Sequence, residues 1–182
     1  TVLTAILAFA AMEQIKSAEA ESQKADQLGD IYIEYERAFA LKRQGLLYYL
    51  LTGDRTGLEQ FNEMSPKIDT AVVSLRDQSA DIPAVAKLVD MLVLDYKEWL
   101  DVYAAEQVRL MSNYLTVNQA RAIEVTGEPQ IAIDRFTESA MKLEQELSAI
   151  SSNAVAQRAA ALGSFTVTMI VSIALVIVVA VI

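Results

Sequence analysis

The chain has 182 residues, 53% of them hydrophobic, with a mean hydropathy of +0.28 and a formal net charge of −9. It contains no cysteine and no histidine, which removes zinc, iron–sulfur and histidine-ligated haem sites, thiol nucleophiles and disulfides, so no metal and no cofactor is expected. No stripe of Lys and Arg suits a phosphate backbone, which excludes nucleic acid as a partner. The acidity reads as a solvated surface, with attraction of cations or polyamines as the sharper alternative.

Six glycines and three prolines leave few places to turn, so long helices are the default and the expected fold class is all-α. Residues 1–12 are uncharged. They are too few to cross a bilayer and read as the last part of a first membrane span. A signal-peptide remnant is the alternative, disfavoured because residues 14–20 continue as helix without a cleavage-like break.

From residue 15 to 51 there is no proline, and Leu28, Tyr32, Tyr35, Phe39, Leu46 and Leu50 recur at helical spacing. The turn at 52–57, Thr-Gly-Asp-Arg-Thr-Gly, ends this first helix. It is too short for a phosphate loop and lacks the closing Gly-Lys-Ser/Thr. A second helix over about 58–78 has Leu58, Phe61, Ile68, Val72 and Leu75 on one face. Residues 79–83 break it, and Pro83 favours the start of a third helix carrying Val85, Leu88, Leu92, Trp99, Tyr103 and Leu110.

In the last segment Ile133, Phe136, Ala140, Leu143, Leu147, Ile150 and Ala154 alternate steps of three and four, a coiled-coil seam. It runs into residues 162–182, which carry no charge and at ~1.5 Å per residue extend about 30 Å, the thickness of a hydrocarbon core. This is read as a transmembrane helix, and the protein is expected to continue past it. Helix rise, with both ends of the middle region at the membrane, places the remaining turn at 112–117. There Thr116 and Gln119 match a capping box, and Gly127 with Pro129 becomes a kink. A break at 126–129 is the alternative. The expected architecture is an up-down-up-down four-helix bundle over 13–161, flanked by a partial first transmembrane helix (1–12) and a second (162–182).

Catalytic patterns are poor. Ser139 and Lys142 form an S-x-x-K of the kind found in penicillin-interacting enzymes, but its companion motifs are absent and Ser139 lies beside the seam. Carboxylates such as Asp30, Glu34, Glu144 and Glu146 lack the histidines of a Glu-x-x-His di-metal pair. The chain is therefore not expected to be an enzyme. Tyr32, Tyr35, Phe39, Trp99 and Tyr103 read as core. Near the end of the bundle expected to lie farthest from the membrane, Arg43, Tyr48, Tyr49, Arg109, Asn113 and Arg121 are the candidate ligand-binding residues. Guanidinium groups and phenolic hydroxyls there suit a carboxylate.

Residues 45–54 read GLLYYLLTGD and are followed by Leu58 and Phe61. This stretch resembles the R-G-Y-L-L-T-G-D signature of the third type of CHASE sensory domain. Trp99, and the run from Val125 through Gly127 to Ile133, Asp134 and Arg135, are similar to that family's second half. The resemblance covers roughly residues 20–155. Leu47 and Tyr48 stand where the family usually has Arg-Gly, and Arg43 lies one turn earlier.

The resemblance implies an extracytoplasmic sensor between two spans, ahead of a HAMP linker and an output domain. The expected protein is a methyl-accepting chemotaxis receptor in the bacterial inner membrane, with its sensory bundle in the periplasm or outside the cell. Its expected partners are a second copy in a homodimer, the lipid bilayer, a small-molecule or periplasmic protein ligand, and cytoplasmic signalling domains of the same chain. The alternatives are the sensor of a histidine kinase or nucleotide cyclase, and a structural dimerising membrane bundle without a ligand.

Overall fold

The computed structural model describes residues 2–181, with the side chains of residues 6–171, 173 and 174. Among these residues there is no strand. The helices are α1 (Val2–Thr52), α2 (Arg55–Ser79), α3 (Pro83–Glu98), a π-helical segment (Trp99–Ala104), α4 (Ala105–Met111), α5 (Val117–Val125) and α6 (Glu128–Val181). The expected membrane stretches 1–12 and 162–182 fall within α1 and α6, apart from Thr1 and Ile182, which lie outside the described residues. The chain forms two compact units, residues 28–146 and residues 1–27 with 147–182.

In the 28–146 unit, neighbouring helices run antiparallel. Against α1, α2 sets Gly57 beside Gly45 and Phe61 and Ser65 beside Lys42. The α2–α3 pair joins Arg76 to Asp90, and α3 joins α6 through Asp95 to Ser139 and Glu98 to Arg135. Along α1, Leu50 meets Arg121 of α5, while Arg43 and Phe39 meet Gln130 and Phe136 of α6.

The start of α2 is set by Asp54, whose carboxylate accepts from the Thr56 amide at 2.9 Å. The helix therefore begins three residues before Leu58, the start read from the sequence. The turn expected at 112–117 is present. Gln107 of α4 donates to Glu124 of α5, so the chain doubles back between them. The capping box does not form, because the Thr116 hydroxyl turns to the Leu110 and Asn113 carbonyls and closes the hairpin instead. Gly127 does more than kink a helix. At φ +81° it takes the left-handed conformation and ends α5, and α6 starts at Glu128 and continues antiparallel to α1.

Six rings fill the middle of this unit. Phe39 is the hub, with centroids 4.2 Å from Phe136, 5.1 Å from Trp99 and 5.7 Å from Tyr96. Tyr35 touches Tyr96 and Phe136, and Phe61 touches Trp99. The edge-to-face pairs suit the ring quadrupoles. The π-helical segment corrects the reading of the third helix. After Trp99 the next buried residue is Ala104, five positions on, where a regular helix would bury Val102 or Tyr103. Val102 is exposed and Tyr103 half-buried. One extra residue is absorbed in a wide turn.

In the other unit all but one of the buried positions among the described residues are alanine. Ala11, Ala18 and Ala25 on α1, and Leu147, Ala154 and Ala161 on α6, repeat every seven residues. Alanine at a seam position permits close helix approach. Further along α6, Leu162, Val167, Met169, Ile170, Val171 and Ile173 are exposed. Among the described residues this is the one helix long and apolar enough to cross a membrane. An apolar surface on all sides of a helix is the mark of a lipid-facing segment.

Two substitutions test this packing by thermal melts of the chain in detergent micelles. Phe39→Ala removes the hub ring and is expected to cost about 3–5 kcal/mol. A methyl group at Gly45 would stand 2.7 Å from the Gly57 carbonyl oxygen and 2.8 Å from the Phe61 nitrogen. Gly45→Ala is therefore expected to force α1 and α2 apart at a cost of about 1–3 kcal/mol. An unchanged melt for Gly45→Ala would show that the helices do not meet there.

Candidate functional site

The end of α1 organises the surface around it. Gly53 adopts φ +74° and donates its amide to the Tyr49 carbonyl at 2.8 Å, a left-handed helix stop. Arg121 reaches over from α5 and donates to the Leu50 and Leu51 carbonyls at 2.6 and 3.2 Å. The last turn of α1 has no basic residue of its own, so Arg121 supplies both the missing donors and the positive charge that a helix C-terminus favours.

The six sequence candidates thus separate. Arg121 caps a helix, and Tyr49 is buried in the core. Arg109 forms a two-bond ion pair with Glu106 on its own helix. That hydrogen bonding holds the Glu106 carboxyl below its usual range and raises the Arg109 guanidinium. The Asn113 side chain accepts from the Leu115 amide and shapes the α4–α5 turn.

Arg43 and Tyr48 do come together. They line one groove of about 630 Å³ between α1 and the first turns of α2, with Gln44, Leu47, Thr56 and Gln60 among its walls. Arg43 donates from Nη2 to Gln130 Oε1 at 2.8 Å, and its Nε is shielded from solvent with no acceptor. Gln130 in turn donates to Asp134. Gln60 is held by the Leu41 carbonyl. Tyr48 is 46% exposed and Leu51 76% exposed, which leaves apolar surface open beside the guanidinium.

Lys42 went unnoticed in the sequence. It is 1% exposed, and its ammonium donates to the Phe61 carbonyl at 2.9 Å and to Ser65 Oγ at 2.6 Å while sitting 3.7 Å from the centre of the Phe61 ring. Burial lowers its pKa to about 8, and the charge of Asp69 opposes part of that shift. The signal was there: Lys42 stands three residues after Phe39 and four before Leu46, a seam position. A charged residue type masked it.

Ser139 and Lys142 are engaged apart from one another. Ser139, buried, bonds to Asp95, and Lys142 pairs with Glu138.

The family model described as the CHASE3 domain matches residues 42–157. The match starts on Lys42 and takes in all of the residues around the Arg43–Tyr48 groove except Ala40. No curated protein and no solved structure matches the chain.

Lys42 gives a pH signature. In the unfolded chain its pKa returns to about 10.4, above the folded value of about 8. Between those values the unfolded state holds a proton that the folded state has released. Stability is therefore expected to rise as pH climbs from about 8 to 10, by at most about 1.4 kcal/mol per pH unit. The buried phenols of Tyr32, Tyr35 and Tyr96 are all pushed up by burial, so their contribution is lost only above this window. Melts at pH 7.5 and 9.5 check the rise, which Lys42→Met should abolish.

Proposed function

Since the chain belongs to the CHASE3 family, the all-helical extracellular sensory domains of signalling receptors, we propose that it is the sensory region of a dimeric transmembrane receptor of the methyl-accepting chemotaxis type. In this reading residues 13–161 form an up-down-up-down four-helix bundle on the periplasmic or outer side of the bacterial inner membrane. Residues 162–182 cross the bilayer, and residues 1–12 end a first span. The region binds its stimulus and performs no catalysis.

The observation that carries the proposal is α6. One uninterrupted helix, Glu128–Val181, holds both the buried seam residues Ile133, Phe136, Ala140 and Leu143 and the exposed apolar run from Leu162. The seam and the apolar run thus belong to one helix. Packed helices that switch shift by ~1–2 Å, and a helix transmits such a shift along its axis. The antiparallel pairings of α1 with α2, α2 with α3 and α3 with α6 support the bundle. Ser139 and Lys142, bound to separate partners, favour a non-catalytic reading of S-x-x-K.

The topology is open to a direct test. The chain has no cysteine, and Leu115, in the α4–α5 turn, is 69% exposed. In spheroplasts of cells expressing the Leu115→Cys protein, a membrane-impermeant maleimide is expected to label it without lysis. Labelling seen only after lysis would place the turn in the cytoplasm and overturn the proposal.

A further inference from the structure

The groove between α1 and α2 has a chemical character opposite to that of the chain around it. The protein carries a net charge of −9, yet Arg43 is the one charged side chain among the groove's lining residues, and no carboxylate joins it. The other described cavities include Glu34 or Glu19 in their walls. Within its lining, the groove thus offers a positive charge that no carboxylate joins.

The guanidinium is also incompletely used. Its Nη2 is taken by an amide oxygen, a neutral acceptor, and its shielded Nε has no acceptor at all. A shielded donor without a partner is costly. A carboxylate is a stronger acceptor for a guanidinium than an amide oxygen, because it is charged and can accept two N–H donors. The remaining walls divide the ligand in two: Gln44, Gln60 and Thr56 are polar, while Leu47, Tyr48 and Leu51 present apolar surface. A bare inorganic anion would leave that apolar surface wet, and a cation would meet Arg43. The volume of about 630 Å³ lies in the range of small-molecule sites.

We infer that this groove binds a small organic monocarboxylate with an apolar body, its carboxylate on Arg43 and its body against Leu47, Tyr48 and Leu51. The inference rests on the sensory reading above and names the ligand class for that function.

The test is binding of phenylacetate to the full chain in detergent micelles, by calorimetry and by thermal shift, with phenylacetamide and sodium phosphate as comparison probes. Phenylacetate is expected to bind and to raise the melting temperature, and the amide and phosphate to bind at least about tenfold more weakly, since each lacks one half of the recognition. Arg43→Gln should weaken phenylacetate about tenfold or more. Leu51→Glu, at a position 76% exposed, should do the same by placing a carboxylate at the groove. Arg109→Gln, in its separate ion pair, should leave binding unchanged.

The inference is overturned if phenylacetate fails to bind a chain of intact helicity, if phenylacetamide or phosphate binds as well, or if binding survives both Arg43→Gln and Leu51→Glu. None of these results touches the maleimide labelling of Leu115→Cys in spheroplasts. A wrong ligand class and a wrong sensory reading are thereby told apart.

Discussion

Helices that meet through ordinary side chains keep their axes ~8–10 Å apart. At Gly45 and Gly57 the chain gives up both side chains, and the backbones of α1 and α2 touch: each carbonyl oxygen lies 2.7 Å from where the other residue's Cβ would stand. Much of the 28–146 unit follows from that approach. The link between the two helices needs only Gly53 and Asp54, one to stop α1 and the other to start α2. The stem of Lys42, one turn before Gly45, is closed in against α2, so its ammonium ends on the Phe61 carbonyl and ring. On a neighbouring face the same crossing leaves the groove that Arg43, Tyr48 and Gly57 line.

The interior combines two different kinds of constraint. The aromatic hub at Phe39 joins rings from α1, α3, the π-helical segment and α6 in contacts that tolerate little change of volume. Beside it the polar groups need particular partners. Lys42 has them, Ser139 has Asp95, and the Tyr35 hydroxyl is buried without one. A polar group closed into an apolar seam ties the helices to one register, because any slip would strand it. Surface ion pairs such as Arg76 with Asp90 contribute much less, since water and salt screen them.

The sequence showed most of the architecture because its signals were local. Turn residues marked the ends of α1 and α2, Pro83 marked the start of α3, and the step pattern of α6 reappears as buried Ile133, Phe136, Ala140, Leu143, Leu147 and Ala154. What escaped depended on contacts distant in sequence. Arg121 looked like a ligand residue because nothing nearby reveals that α1 ends against it with its carbonyls open. Thr116 looked like a cap because its competing acceptor, the Leu110 carbonyl, exists only once the hairpin has closed. Lys42 stays hidden because a charged side chain ordinarily belongs at the surface. The candidate site was half legible: composition pointed to arginine and tyrosine, but only the fold shows that Arg43 and Tyr48 share a groove while Arg109, Asn113 and Arg121 serve elsewhere.

The segment Trp99–Ala104 holds one residue more than the seam on either side of it requires. Any relative whose third helix is regular throughout must therefore align to this chain with a single-residue gap inside that segment. An ungapped alignment would carry Tyr103 into the core and turn Ala104, Gln107 and Met111 out of it, and every position inferred from there to the α4–α5 turn would be rotated by about 100°. Deleting one residue within 99–104 is then the rare deletion inside a helix that leaves the buried face intact on both sides.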